Sequence, residues 1–191
     1  MKLKIAMGAT IALTALIAAT NANAAVTVLG NGLAHSCFEF AEFGGNVRDG
    51  IVTCTIAIEQ TALTPKDLAA SYINRGILRS RTDQPESALA DYDHGISLDA
   101  NLGEGYVDRG AVMIVLKRYE DALVDIDKGI SLGANRLQIA YYDRALVQEA
   151  LGNILGAYQD YKKAVELQPD FTLAQEQLAR FRVVHKSAEG T

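Results

Sequence analysis

The chain has 191 residues, room for one domain or two small ones, and 49% of them are apolar against 21% charged, which is a globular composition rather than a disordered one. Two cysteines are too few for a disulfide-dense miniprotein, and a formal net charge of −5 argues against general electrostatic binding to nucleic acid.

The first 24 residues read as an address. Lys2 and Lys4 precede an uncharged apolar run, residues 5–19, and small or polar residues follow, ending Ala22-Asn23-Ala24. A basic start, an apolar stretch and a small-x-small site form the pattern of a secretory signal peptide. The run is about 15 residues long, short of the roughly 20 that a spanning helix needs. Cleavage is expected after Ala24, leaving no membrane span and a chain that is periplasmic or secreted. The cysteine that a lipoprotein carries at its cleavage point is missing, since Cys37 lies well beyond it.

Residues 25–65 are expected to form a degenerate helical hairpin. Gly50, Cys54, Ala57 and Ile58 repeat the second-helix positions of Ala122, Ile126, Gly129 and Ile130 in a unit found downstream. Gly44-Gly45-Asn46 is the break, and counting back places Cys37 in the column of Arg75 on the facing helix. Cys37 and Cys54 thus face each other in a chain bound for an oxidising compartment, and a disulfide is expected. Closing a loop of this size contributes about 3 kcal/mol by the chain-entropy account. A redox pair would place its thiols two apart at a helix start, whereas these are 17 apart.

Residues 66–169 repeat three times. Arg75-Gly76, Arg109-Gly110 and Arg144-Ala145 recur at intervals of 34 and 35, each preceded three residues earlier by Tyr72, Tyr106 or Tyr141. Ala88, Ala122 and Ala157 follow, then Asp91, Asp125 and Asp160, and Leu98, Leu132 and Leu167 close the pattern. Apolar and small residues at three- and four-residue steps predict two helices per unit. Thr64-Pro65-Lys66-Asp67 and Asn101-Leu102-Gly103-Glu104 have the form of helix starts, with a capping oxygen first and an acid three later. Asp83 is expected to cap the helix that holds Pro85. Gly76 and Gly110 are expected to face Ala88 and Ala122, so that the two backbones approach closely. One such hairpin cannot bury its own apolar face, so units must stack into a solenoid.

In its spacing, its small-residue columns, Tyr92 and Tyr161, and the closing Pro169, this pattern resembles the tetratricopeptide repeat family. Tyr72-Ile73-Asn74-Arg75-Gly76 and Ala88-Leu89-Ala90-Asp91-Tyr92 look like common bacterial versions. The chain departs from the family in lacking tryptophan and in carrying Ala100 and Ala134 where a proline often ends a unit. The resemblance implies an all-α, right-handed superhelical solenoid of antiparallel helix pairs. Residues 170–185 read as a C-terminal capping helix and 186–191 as a flexible tail.

The Arg75/Asp91, Arg109/Asp125 and Arg144/Asp160 pairs recur in every unit, which marks them as structural ion pairs rather than an active site. His35, His94 and His185 are scattered, so neither a metal site nor Cys–His catalysis is expected, and no cofactor. Non-catalytic binding follows from the resemblance, because the first helices of such an array line a concave groove that takes extended peptides or partner helices. The phases flanking the tyrosine column name the candidate lining: Ile73, Asn74 and Ile77; Glu104, Val107, Asp108 and Ala111; Tyr142, Asp143 and Leu146. Members that clamp a carboxylate use basic and asparagine side chains here, and only Asn74 matches. An apolar groove with an acidic flank favours a protein or peptide partner that is apolar with a basic residue or a free amine. The alternative is a self-assembling structural repeat protein of the cell envelope, with homo-oligomers.

Overall fold

The computed structural model describes residues 4–7, 25–28 and 32–184. Except for residues 4–7, the expected leader lies outside the described residues, as does the expected tail. The described chain holds β1 (Lys4–Met7), α1 (Leu33–Phe43), α2 (Val47–Gln60), α3 (Pro65–Ser80), α4 (Pro85–Leu98), α5 (Gly103–Val115), α6 (Tyr119–Ser131), α7 (Leu137–Ala150), α8 (Ile154–Leu167), α9 (Thr172–Leu178) and β2 (Phe181–Val184). Helices pack most extensively as the consecutive pairs α1/α2, α3/α4, α5/α6 and α7/α8, and α9 lies on α8. This is the all-α solenoid of helix pairs that the repeats require.

Local chemistry sets the helix ends. The Thr64 hydroxyl accepts from the Asp67 N–H at 3.1 Å and donates to the Asp67 carboxylate at 2.7 Å, a capping box with Pro65 in the first turn. Asn153 caps α8 by accepting from the Gly156 N–H at 3.2 Å. The other two expected caps are corrected. Asn101 does not cap α5, which starts after Leu102, and Glu104 instead accepts from the Asn135 N–H at 3.0 Å. Gln84, not Asp83, precedes α4, and its side chain makes no capping bond.

The small columns do let the helices of a pair close on each other, against a different neighbour from the one expected. A Cβ on Gly76 would lie 2.7 Å from the Tyr92 ring, and one on Gly110 would lie 2.7 Å from Ile126 Cγ1. The glycines therefore face the Tyr92 and Ile126 column, with the Ala122 carbonyl as a further neighbour of Gly110. Bulk on one helix fills the notch on the other, which is close packing rather than mutual smallness.

Cys37 and Cys54 are joined by a disulfide, as expected; both are fully buried and their Cα atoms are 4.7 Å apart. The C-terminal end differs from the reading of residues 170–185 as one helix. α9 stops at Leu178, and Phe181–Val184 form a strand that pairs antiparallel with Lys4–Met7, from Met7 opposite Phe181 to Lys4 opposite Val184. Phe181 packs against Tyr158 and Tyr161, with ring centroids 5.8 Å away in each case, so burying this ring turns the chain out of the helix.

Candidate peptide-binding groove

The first helices touch one another in succession, α1 to α3, α3 to α5 and α5 to α7, while each second helix packs on the first helix of the following unit. The array therefore curves with its first helices on the inner face. Across that face, Arg136, just before α7, bonds Glu42 near the end of α1 at 2.5 Å. Arg81, just after α3, donates to the Ala41 carbonyl at 2.6 Å and to the Phe40 carbonyl at 3.5 Å.

Each repeat arginine is held by three groups. Arg75 donates to both carboxylate oxygens of Asp91 at 3.0 and 2.8 Å, Arg109 to those of Asp125 at 2.6 and 2.8 Å, and Arg144 to those of Asp160 at 2.7 and 2.8 Å. The third arm reaches the preceding unit's second helix: Thr55 at 3.1 Å from Arg75, Asp93 at 2.6 Å from Arg109, and Asp127 at 2.7 Å from Arg144. Each guanidinium also lies over the tyrosine three residues before it, 5.4, 5.6 and 5.1 Å from the ring centroids of Tyr72, Tyr106 and Tyr141. The bonds to Asp125 and then Asp93 raise Arg109 above its ordinary range against the opposing effect of burial, and Asp160 and Asp127 do the same for Arg144. These are struts between repeats, as the recurrence implied.

Apart from Glu104, which is half-buried and bonded to the Asn135 N–H, the expected lining residues fall into two groups. Ile73, Val107 and Tyr142 are packed between helices. The Ile73 Cδ1 lies where Cβ atoms on Gly95 and Gly105 would fall, and Val107 presses on Gly129. Tyr142 meets Tyr161 and Phe171 with centroids 5.7 and 5.3 Å away, and burial, aided by Asp143 and Glu176, pushes its hydroxyl up to about 12. Ile77 is also buried, while Ala111 and Leu146 are half-buried. The second group is the next column, Asn74, Asp108 and Asp143, one per repeat.

Asn74 is 0% exposed and fully engaged. Its Oδ1 accepts from the Val26 N–H at 2.8 Å, and its Nδ2 donates to the Val26 carbonyl at 2.9 Å. Residues 25–28 lie against the inner face as a segment that is neither helix nor strand, with Ala25, Val26 and Val28 buried and Thr27 exposed. Further along, the Val28 carbonyl lies 3.4 Å from His35 Nδ1 on α1. Ala25, Val26 and Val28 share one apolar cluster with Ile73 and Ile77 of α3 and Val112 of α5. The sequence reading did not find this segment, although the apolar–polar alternation of Val26-Thr27-Val28 is a short strand signal.

Asp108 is 4% exposed, and its Oδ2 has no hydrogen-bond partner among the described residues. Burial first, then the negative charges of Asp143 and Glu104, hold its carboxyl well above the usual range, against the pull of Arg136 and Arg81. Burial alone lifts Asp143 to about 7. Asp108 Oδ2 therefore lacks the partner that a buried polar atom requires. Among the described residues no three His, Cys, Asp or Glu side chains group so as to hold a metal ion, and no helix is long and apolar enough to cross a membrane.

Comparison with known proteins agrees with this geometry. The family profile described as "Tetratricopeptide repeat" matches residues 139–171, the third unit. The fold is similar to that of MamA, at 17% identity over 78% of this chain and 82% of that one, with a TM-score of 0.63. It is similar to YrrB, described as a TPR protein with an unusual peptide-binding site, at 30% identity over 65% of this chain and 62% of that one, TM-score 0.58. It is also similar to the second TPR domain of the human RPAP3 protein in complex with an HSP70 peptide, at 25% identity over 61% and 97%, TM-score 0.57. No curated protein matches the sequence. Residues 139–171 thus match a tetratricopeptide repeat, and the chain has the fold of tetratricopeptide repeat structures.

Proposed function

We propose that this chain is an exported, non-catalytic binding module that holds an extended peptide segment of a protein partner in its concave groove. One observation carries the reading: the groove already holds a non-helical stretch of main chain, pinned at Val26 by both ends of the Asn74 amide. An asparagine used this way recognises main chain, so it accepts many side chains and fixes register. Two of the similar structures, YrrB and the human RPAP3 domain, are described with a peptide site or a bound peptide, which supports a peptide as the ligand class. The buried carboxyls of Asp108 and Asp143 favour a segment carrying a basic residue or a free amine. Export is supported by the leader pattern and by the buried Cys37–Cys54 disulfide, which persists in an oxidising compartment.

The test is crosslinking of the tagged full chain in an exporting bacterium, with co-purifying proteins identified by mass spectrometry. A reproducible partner, lost when Asp108→Asn and Asp143→Asn are combined in a chain that keeps its helical spectrum, is the expected result. Undiminished capture by that variant refutes the groove assignment.

A further inference from the structure

We propose that the chain's own mature N-terminus is the groove's resident ligand, with the Ala25 α-ammonium docked on the Asp108 carboxylate while Asn74 holds the Val26 backbone. The proposal rests on the export reading, and specifically on cleavage after Ala24. In that cleavage a leader peptidase hydrolyses the Ala24–Ala25 amide; water supplies the new carboxylate of Ala24 and the new ammonium of Ala25.

Direction and register carry the argument. Val28 sits beside His35 on α1 and Val26 sits on Asn74 of α3, so toward its N-terminus the segment heads for α5. The next residue is Ala25, and the residue in the Asn74 column on α5 is Asp108. α3 and α5 touch on the inner face, more lightly than the two helices of a pair. The Ala25 nitrogen is one residue beyond the pinned Val26, a step of roughly 3.5 Å toward α5, and the Asp108 side chain reaches back from the other side. In the chain that still carries its leader, that nitrogen is an amide with one donor. After cleavage it is a cation with three.

Asp108 supplies the second, independent observation. A wholly buried carboxylate oxygen without a partner is rare and calls for a physical reason. The charges facing it are unbalanced. With Asp108 itself, Asp143 on α7 and Glu104 on α5 make three carboxyls against two guanidiniums, Arg136 and Arg81. Arg136 is bonded to Glu42, and Arg81 to the Phe40 and Ala41 carbonyls. An arriving ammonium fills the deficit and satisfies the orphaned oxygen. It also explains why the residue after Ala24 is buried rather than trailing in solvent. An external segment that enters over α3 must displace residues 25–28, and one that pairs with Asp108 must displace the Ala25 ammonium, which leaves the stretch around Asp143 on α7 as the open part of the groove.

The full chain is expressed in an exporting bacterium, and its N-terminus is read by mass spectrometry. The rate at which the α-amine is acylated by an amine-reactive ester is then followed on the folded protein across pH. The expected results are an N-terminus at Ala25, and acylation at least tenfold slower than in the Asn74→Ala and Asp108→Asn variants. The wild-type pH profile alone is expected to place the amine above its ordinary range of about 7.7–8.0, a readout that needs no variant to fold. An Ala25 amine with an ordinary profile, or one acylated as fast in the wild type as in the variants, overturns the docking while leaving export intact. A retained leader or a different first residue overturns the cleavage reading and the docking with it.

Discussion

In α1 and α2 the link between the paired helices is the Cys37–Cys54 disulfide; in the three pairs that follow it is an arginine forked onto an aspartate. Both links start from the same column of the first helix, since Cys37 stands in the column of Arg75, Arg109 and Arg144, while Cys54 stands one residue past the aspartate column, where Ile126 sits. The difference follows from position in the array. A repeat arginine has one arm for the preceding unit's second helix, and α1 has no such unit before it among the described residues. A guanidinium there would be buried with a donor left over, which costs free energy. A disulfide needs only two positions and acts mainly on the unfolded chain. The first described unit is thus held by a covalent restraint, and the units after it by a network that requires a preceding neighbour.

The sharpest way to break this contrast is to remove an aspartate. Asp91 is 2% exposed and holds both Arg75 and Arg79, so Asp91→Ala strands two cations. A loss of about 3–5 kcal/mol is expected in urea unfolding, the cost of orphaning a buried charge. Replacing both Cys37 and Cys54 by serine should cost about 3 kcal/mol. Hydrogen exchange should place that loss in α1 and α2; an equal loss through α5–α8 would mean that the two regions are not separable.

Asp143→Asn sharpens the comparison through pH. In the unfolded chain this carboxyl titrates near 4, and in the fold burial raises it to about 7. Folding takes up a proton between those values. The associated stability is fully present below the unfolded value and is lost as pH rises through the folded one. The variant should therefore gain about 1–3 kcal/mol over the parent near pH 8 and nothing near pH 4, read as a difference in thermal midpoints. The smallest effect is at the turns between paired helices. Lys117 adopts φ 58° where the next repeat has Gly152 at φ 80°. Lys117→Gly should raise stability by about 0.5 kcal/mol, because only glycine takes that conformation without a Cβ penalty.

The repeat units, the disulfide and the arginine–aspartate pairs were legible because each is short-ranged and, for the pairs, written three times. Tyr72, Arg75 and Asp91 announce their relation by recurring at fixed spacing. The groove was half legible. The columns were found, but helical phase alone put Ile73 and Val107 beside Asn74 and Asp108, and a difference of one residue on a helix is about 100° of rotation. Only packing against Gly95, Gly105 and Gly129 sends the first two into the core.

By itself the sequence determined the solenoid, because periodic apolar spacing and recurring small residues leave paired helices no other way to bury their faces. It also determined the N-terminal staple, since the repeat columns put the only two cysteines of the chain on facing helices. Tertiary structure alone decided what occupies the inner face. The bonds between Asn74 and Val26 span 48 residues and involve a four-residue segment with no repeat to mark it. It likewise decided that α9 ends early and that Asp108 is left with a bare oxygen. Those outcomes depend on which surfaces meet once the array has curved, and curvature is a sum of small rotations at every helix contact rather than a property of any one stretch of chain.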